Sequence, residues 1–171
     1  VRNLCNESKA IAVFPNAAEK KVFNNKILKN PPSEFKFMDH YFTITFAGNI
    51  GNNQSVDTII KAANNLKHKK KIMFVIVGSG SRATFMKNEI IRLGLVNIKL
   101  LGQFSPKIMP TVFHKSDALL VTLADINNLH WTVPAKIQAY MASGKPIIAS
   151  LNGDGAEIIR KSNCGYVSKA E

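Results

Sequence analysis

From Tyr41 onward the chain alternates between two kinds of block. Short, nearly continuous runs of apolar and β-branched residues occupy Tyr41 to Ala47, Ile72 to Val77, Ile98 to Leu101, Ala118 to Leu123 and Ile147 to Ala149, and Gly165-Tyr166-Val167 closes the series. Nearly continuous apolar character over runs of three to seven residues is the mark of a strand covered on both faces. Between these runs apolar residues recur at helical spacing. Ser55 to Lys67 places Val56, Ile59, Ile60, Ala63 and Leu66 on one face. After Gly80, a second helix uses Phe85, Ile90, Ile91 and Leu93 and stops at Gly94. Ser105-Pro106 reads as cap and first position of a third, whose inner side is Ile108, Met109, Val112 and Phe113, with Pro110 tolerable in its first turn. A polar loop, Asp125 to Trp131, leads to a fourth helix with Ile137, Tyr140 and Met141 inward and Gly144 at its end. Pro134 suits its first position and Thr132 or Val133 its cap. Asp154-Gly155-Ala156-Glu157 reads as a capping box for a short helix Ala156 to Lys161.

Strands alternating with helices predict a parallel sheet covered on both sides: an α/β, doubly wound, Rossmann-like domain. Ligands of such sheets lie outside the carboxyl ends of the strands. Here those ends are Gly48-Asn49-Ile50-Gly51, Gly78-Ser79-Gly80, Gly102-Gln103-Phe104, Ala124 to Val133 and Asn152 to Gly155. The helix opening near Pro134 presents unpaired backbone N–H groups and a positive dipole end, with Lys136 in its first turn, so an anion is expected there. Ahead of Tyr41 order is weaker. Lys9 to Phe14 reads as a strand broken by Pro15-Asn16, and Asn24 to Glu34, with Pro31-Pro32, reads as loop. Residues 1–40 are therefore an irregular lead-in with one short strand, and residues 41–171 the main domain. The start at Val1 rather than Met leads to the expectation of a fragment or a processed chain.

Charge narrows the class of partner. The 171 residues carry a formal net charge of +12 with 46% hydrophobic residues. That charge favours an acidic partner: nucleic acid, an anionic membrane surface or a phosphorylated small molecule. Cys5 and Cys164 are too far apart for a metal motif, and a reducing, cytosolic setting fits them. Neither a signal peptide nor a membrane-spanning apolar run is seen. His40, His68, His114 and His130 have no metal or triad spacing, although His130 lies just before the anion-binding helix. Gly78-x-Gly80 lacks the third glycine and the acidic residue of a dinucleotide fingerprint and reads as a tight turn. Lys69-Lys70-Lys71 is a solvated loop, and no basic strand carries an aromatic pair for RNA, so nucleic acid is not an expected partner.

The motifs in order resemble a known family. Ala10 to Asn16 with Phe23, Phe46 to Gly51, Val75 to Gly80, Leu100 to Phe104, Val133 to Lys136 through Ala142 to Pro146, and Gly153 to Ile159 with Gly165 to Val167 look like the C-terminal domain of GT-B glycosyltransferases. The similarity is to the family-four retaining enzymes of bacterial O-antigen and capsule synthesis. It implies a donor nucleotide-sugar site, with a UDP-linked hexosyl or N-acetylhexosaminyl donor, no metal and no other cofactor. The base would lie against Gly102-Gln103-Phe104. The diphosphate would meet Lys136 and the helix end beside Gly48, Asn49, Gly51 and Gly78. The sugar would face Asn128 to Val133, Thr132 included.

The family's paired glutamates would fall on Trp131 and Ala139, and Gln138 is a possible substitute for them. Its arginine and lysine after the first strand fall on Asn49 and Gln54. The resemblance further implies a lipid-linked glycan acceptor, bound through an N-terminal domain that holds the catalytic residues missing here. It also implies a cytoplasmic site, peripheral at the inner face of the membrane, where positive charge attracts anionic lipid. A GT-B nucleotide-sugar epimerase and a non-enzymatic basic module for nucleic acid or membrane are the alternatives.

Overall fold

The structure, a computed structural model, describes residues 27–171; the strand expected at Lys9 to Phe14 lies outside them. Six strands form one sheet: β1 Phe42–Ala47, β2 Ile72–Val77, β3 Ile98–Gly102, β4 Ala118–Thr122, β5 Ile147–Ser150 and β6 Gly165–Ser168. Their order is β3-β2-β1-β4-β5-β6, and every pairing is parallel. The helices are α1 Val56–Asn65, α2 Ala83–Arg92, α3 Met109–Lys115, α4 Asn127–His130, α5 Ala135–Ala142 and α6 Asp154–Lys161. The expected doubly wound, Rossmann-like α/β fold is the one observed.

The two-residue period of the central strands divides the core into two layers. Ile44 and Phe46 of β1, Phe74 and Ile76 of β2 and Leu120 of β4 meet Val56, Ile59, Ile60 and Ala63 of α1 and Met86 of α2. Met73, Val75, Val77, Leu119 and Val121 point the other way, onto Val112 and Phe113 of α3, Ile137 and Tyr140 of α5 and Ile159 of α6. Apolar side chains on both faces explain why β2 and most of β4 are continuous apolar runs, whereas β1 alternates with the buried Thr43 and Thr45, and the edge strands β3 and β6 expose Lys99 and Tyr166.

Four local expectations are corrected. Phe85 and Ile91 of α2 face solvent, while Met86, which the apolar count passed over, is fully buried. Ala83, Met86 and Ile90 carry the packing face, and adjacent apolar pairs such as Ile90-Ile91 leave a helix's rotation undetermined. The segment Asp125 to Trp131 is not all loop, because Asn127–His130 closes one helical turn. The capping box is not formed: α6 already begins at Asp154, its N-cap is Gly153 without a side-chain hydrogen bond, and Glu157 pairs with Arg160 at 3.2 Å and Lys161 at 3.7 Å. Finally, Pro134 is itself the N-cap of α5, and neither Thr132 nor Val133 caps the helix. Thr132 sits two residues too early, and its hydroxyl donates to the Leu129 carbonyl at 2.8 Å.

The lead-in also contributes. Ser33–His40 is a 3-10 helix that begins within the segment expected to be loop, and its Phe35 and Met38 are buried in the α3/α5 layer.

Candidate functional site

The carboxyl ends of β1, β2 and β3 are joined by backbone hydrogen bonds. Gly48 N–H donates to Val77 O at 2.9 Å, Gly78 N–H to Gly102 O at 2.8 Å, and Ile50 N–H to Ser79 O at 2.7 Å. These turns approach so closely that a Cβ on Gly78 would lie 1.8 Å from the Gly48 carbonyl oxygen. Gly78 also has φ +145, so glycine is required there on two counts. A Cβ on Gly80 would likewise stand 2.4 Å from the Ile50 carbonyl oxygen. Both glycines of Gly78-x-Gly80 thus serve the close packing of one turn on another.

Above this junction lies a cleft of about 310 Å³ lined by Gly48, Asn49, Val77, Gly78, Ser79, Gln103, Phe104 and Met109. Its volume is at the small end of ordinary ligand sites. Five expected residues meet here: Gly48, Asn49, Gly78, Gln103 and Phe104. Ser79 was missed, and its hydroxyl donates to Gln103 Oε1 at 3.2 Å, orienting that amide. Phe104 rests on Phe35, with ring centroids 4.9 Å apart. Gly102 and Gly51 do not line the cleft. Gly102 ends β3 with φ +76 and accepts from Gly78, while Gly51 accepts from Gln54 N–H at 3.1 Å and shapes the turn carrying Gln54.

Lys136 stands beside the cleft. As the second residue of α5 it reaches back to the end of β1, where Nζ lies 3.8 Å from the Phe46 ring centroid and 3.4 Å from the position a Gly48 Cβ would take. Nζ donates to Gln54 Oε1 at 2.6 Å. Burial lowers its pKa from 10.5 to about 7, because the ammonium loses water that a neutral amide only partly replaces. Gln54 is thus the polar partner of the site's cation, a role invisible in sequence because the two residues are far apart along the chain. The N–H groups of Ala135 and Lys136 open the helix and have no intrahelical acceptor. These amides and the Lys136 ammonium belong to one helix start, the kind of place that suits an anion.

Tyr140 holds this arrangement. Fully buried, its hydroxyl accepts from Ala47 N–H at 2.8 Å and donates to Ala47 O at 3.2 Å, clamping α5 to the last residue of β1. Burial raises its pKa, so it is a neutral donor throughout. Tyr140→Phe should leave the Ala47 amide unpaired and lower stability by about 1–3 kcal/mol, measured by denaturant unfolding.

The remaining expected residues lie around the loop from β4 to α5. Thr132 is exposed, Val133 half-buried, and the Gln138 amide, oriented to satisfy both of its ends, donates to Pro134 O at 3.1 Å and Ala135 O at 2.9 Å. Gln138 is therefore engaged with its own helix. The loop is fixed by Asp125, whose Oδ1 meets His130 Nε2 at 2.7 Å and Asn152 Nδ2 at 2.9 Å; the His130 contact first, then that of Asn152, holds this carboxyl below its ordinary range. Among the described residues no three His, Cys, Asp or Glu side chains converge as a metal site would need.

A sequence profile described as "Glycosyl transferases group 1" matches residues 41–171. The chain belongs to the group 1 glycosyl transferases. A curated relative, the probable glycosyltransferase WbjE of Pseudomonas aeruginosa, is 29% identical over 115 residues, covering 67% of this chain and 28% of that protein. Among solved structures, HepE of Anabaena in complex with UDP is similar with a TM-score of 0.69 at 18% identity, over 91% of this chain and 42% of that one. The C-terminal domain of LpcC, a group 1 family protein of Francisella tularensis, is similar with a TM-score of 0.65 at 20% identity, over 88% of this chain and 79% of that one. The fold is thus the Rossmann-like half of a GT-B architecture, and the chain spans less than half the length of WbjE and HepE.

Proposed function

We propose that this chain is the donor-binding half of a retaining glycosyltransferase that takes a sugar, hexosyl or N-acetylhexosaminyl, from a UDP-linked donor. The acceptor would be a lipid-linked glycan of bacterial polysaccharide synthesis, such as O-antigen, bound through residues outside this chain at the cytoplasmic face of the membrane. The observation that carries the reading is the placement of Lys136 Nζ, in the first turn of α5, 3.4 Å from where a Cβ on Gly48 would stand, Gly48 being one wall of the cleft that Phe104 also lines. The base would enter the cleft against Phe104, the diphosphate would meet Lys136, Ala135 N–H and Lys136 N–H, and the sugar would extend toward residues 128–133. As the glycosidic bond breaks, charge grows on the departing diphosphate. A fixed ammonium and helix amides stabilise that charge without reorganising. The UDP complex of HepE supports the choice of nucleotide. Among the described residues no helix is long and apolar enough to cross a membrane. Membrane association in this reading is peripheral, through attraction of the chain's positive charge to anionic lipid.

Calorimetry against UDP, GDP and ADP tests this reading. Saturable binding with UDP tightest, persisting in moderate salt, is the expected result. Binding that lacks nucleotide preference and vanishes with salt would replace it with the basic-module alternative, which the net charge of +12 would serve. The same titration repeated with chelator, then with magnesium or manganese, should give unchanged affinity, since Lys136 and the helix amides carry the diphosphate in this reading. The chain alone should bind donor but transfer no sugar to a lipid-linked glycan, because the acceptor side of the cleft lies outside it; product detected by mass spectrometry would contradict this.

A further inference from the structure

We propose that the amino-terminal pole of the sheet is a docking surface for an anionic lipid bilayer, built from the α1–β2 loop Lys67 to Lys71 and the exposed Phe42 and Val96 beside it. This gives the peripheral membrane association proposed above a place on the molecule, and rests on that reading for a bilayer being at hand. The pole is opposite the donor cleft, where the strands begin and the helices finish. Lys67, Lys69, Lys70 and Lys71 are all exposed there. Among the described residues none of these lysines enters an ion pair, whereas Arg92 and Lys115, at the same pole, are each neutralised at 2.6 Å, by Glu89 and Asp39. Asp117, just ahead of β4, is engaged by the Thr43 N–H at 2.7 Å and the Thr43 hydroxyl at 3.1 Å. The loop is a built turn: Lys69 N–H donates to Leu66 O at 2.9 Å, Ile72 N–H to Lys69 O at 3.0 Å and Phe42 N–H to Lys71 O at 2.7 Å. The dipole of α1 accounts for Lys67, close to its carboxyl end. Lys69, Lys70 and Lys71 lie beyond the helix and repel one another, a cost that an anionic surface removes.

Apolar residues interleave with this charge. Phe42 is 49% and Val96 81% exposed. Phe42 pairs in register with Ile72, and Phe74 with Ile98, so Phe42, Ile72 and Val96 follow one another across the amino ends of β1, β2 and β3. Ile44, Phe74 and Ile98, the next residues inward on the same side of each strand, pack in the α1 layer. The row therefore lies on the side from which the lysine loop leaves α1. Val96 is held there by its neighbour Asn97, whose Nδ2 donates to Ala63 O in the last turn of α1 at 2.8 Å. This mixture selects the partner. RNA would use the lysines but has no place for Val96, which can neither stack on a base nor hydrogen-bond to one. A bilayer takes both, its phosphates meeting the ammonium groups and its interface the apolar side chains. The donor cleft stays clear, because strands of six residues, as β1 and β2 are, put the two poles on the order of 20 Å apart.

The intact chain would be sedimented with vesicles of phosphatidylcholine alone, and with phosphatidylglycerol added, at about 0.15 M salt. Binding to the second and not the first is expected. Each lysine at the surface is worth about fivefold in partition, so Lys69→Gln, Lys70→Gln and Lys71→Gln combined should weaken binding about a hundredfold. Lys87→Gln, Lys107→Gln and Lys169→Gln combined, at exposed positions away from this pole, remove the same charge and should cost less than about threefold. Trp131 is the only tryptophan of the chain. Val96→Trp in a Trp131→Phe background therefore places a single indole at the surface. Its emission should shift to the blue with anionic vesicles and be quenched by lipids brominated in their acyl chains. Trp131 of the parent chain, at the far pole, should respond to neither. Equal losses in the two triple variants would reduce the attraction to net charge and overturn the surface, as would an unmoved indole at position 96. Tighter binding of poly(U) than of vesicles, lost in the Lys69/Lys70/Lys71 variant, would assign the lysines to nucleic acid instead. UDP calorimetry separates this surface from the donor site. UDP binding without vesicle binding overturns the surface alone, and vesicle binding without UDP binding leaves the surface standing while the donor reading falls.

Discussion

Lys136→Ala is expected to weaken UDP binding about ten- to a hundredfold while leaving uridine binding and the fold nearly unchanged. A charge-assisted hydrogen bond to phosphate is worth about 1.5–3 kcal/mol, and each 1.4 kcal/mol is a factor of about ten. Uridine lacks the diphosphate, so it reports the cleft alone. Lys70→Ala, an exposed lysine at the opposite end of the sheet, should change little. Equal small losses at both positions would return Lys136 to the scaffold.

The depressed pKa adds a second signature. In the unliganded protein Lys136 is charged mainly below about pH 7. A bound diphosphate favours the ammonium and raises that pKa, so binding above pH 7 takes up a proton. Affinity should therefore fall as pH rises through 7 to 9, by up to about tenfold per unit, and proton uptake should appear as a dependence of binding heat on buffer ionisation enthalpy. The alanine variant shares the nucleotide's own titration but lacks this component, so the difference between the two isolates it. For the empty protein the sign is opposite. A lysine whose folded pKa lies below its unfolded value of 10.5 penalises the fold at low pH, and stability from this group rises between about pH 7 and 10.5.

Gly78→Ala should be the most damaging single methyl group that could be added to the cleft. The new Cβ would stand 1.8 Å from a backbone oxygen, which no rotamer change relieves. One of the two turns must move, which breaks the hydrogen bonds joining β1, β2 and β3 and opens the cleft. A loss of at least about 3 kcal/mol is expected, which for a chain of this size lowers the thermal midpoint by about 6–12 °C. Gly144→Ala is the control, because Gly144 also has positive φ, +70, but nothing lies within 4 Å of its added Cβ. That change carries only the left-handed backbone cost, about 1–2 kcal/mol. If the two variants unfold together, close approach is not what glycine provides at position 78.

The strands were legible because burial of the sheet writes itself as nearly continuous apolar runs, and the glycines at their ends marked where the turns after β1 and β2 pack on one another. The place of Lys136 in the first turn of α5 was legible from Pro134 at the helix start, and the structure sets its Nζ against Gly48 at the end of β1. What escaped depends on contacts between distant residues. Nothing local marks Gln54 as the partner of Lys136, Tyr140 as a clamp on Ala47, or Ser79 as the donor to Gln103. Thr132 was expected as the cap of α5 but sits two residues before the observed one, Pro134, and its hydroxyl turns back to donate to the Leu129 carbonyl. Met86 was passed over because α2 offers apolar residues at successive positions, and only the packing of α1 decides which of them turns inward.

The contact between Phe35 and Phe104 has a thermodynamic corollary. One ring belongs to the 3-10 helix that enters the domain, the other to the wall of the cleft. Any restraint on the entering segment that steadies Phe35 favours the ring position a base would meet. Reciprocity then requires an occupied cleft to steady the entering segment by the same free energy. If the cleft takes the base as proposed, nucleotide occupancy and the posture of the 3-10 helix Ser33–His40 are linked variables, and either can serve as the reporter of the other.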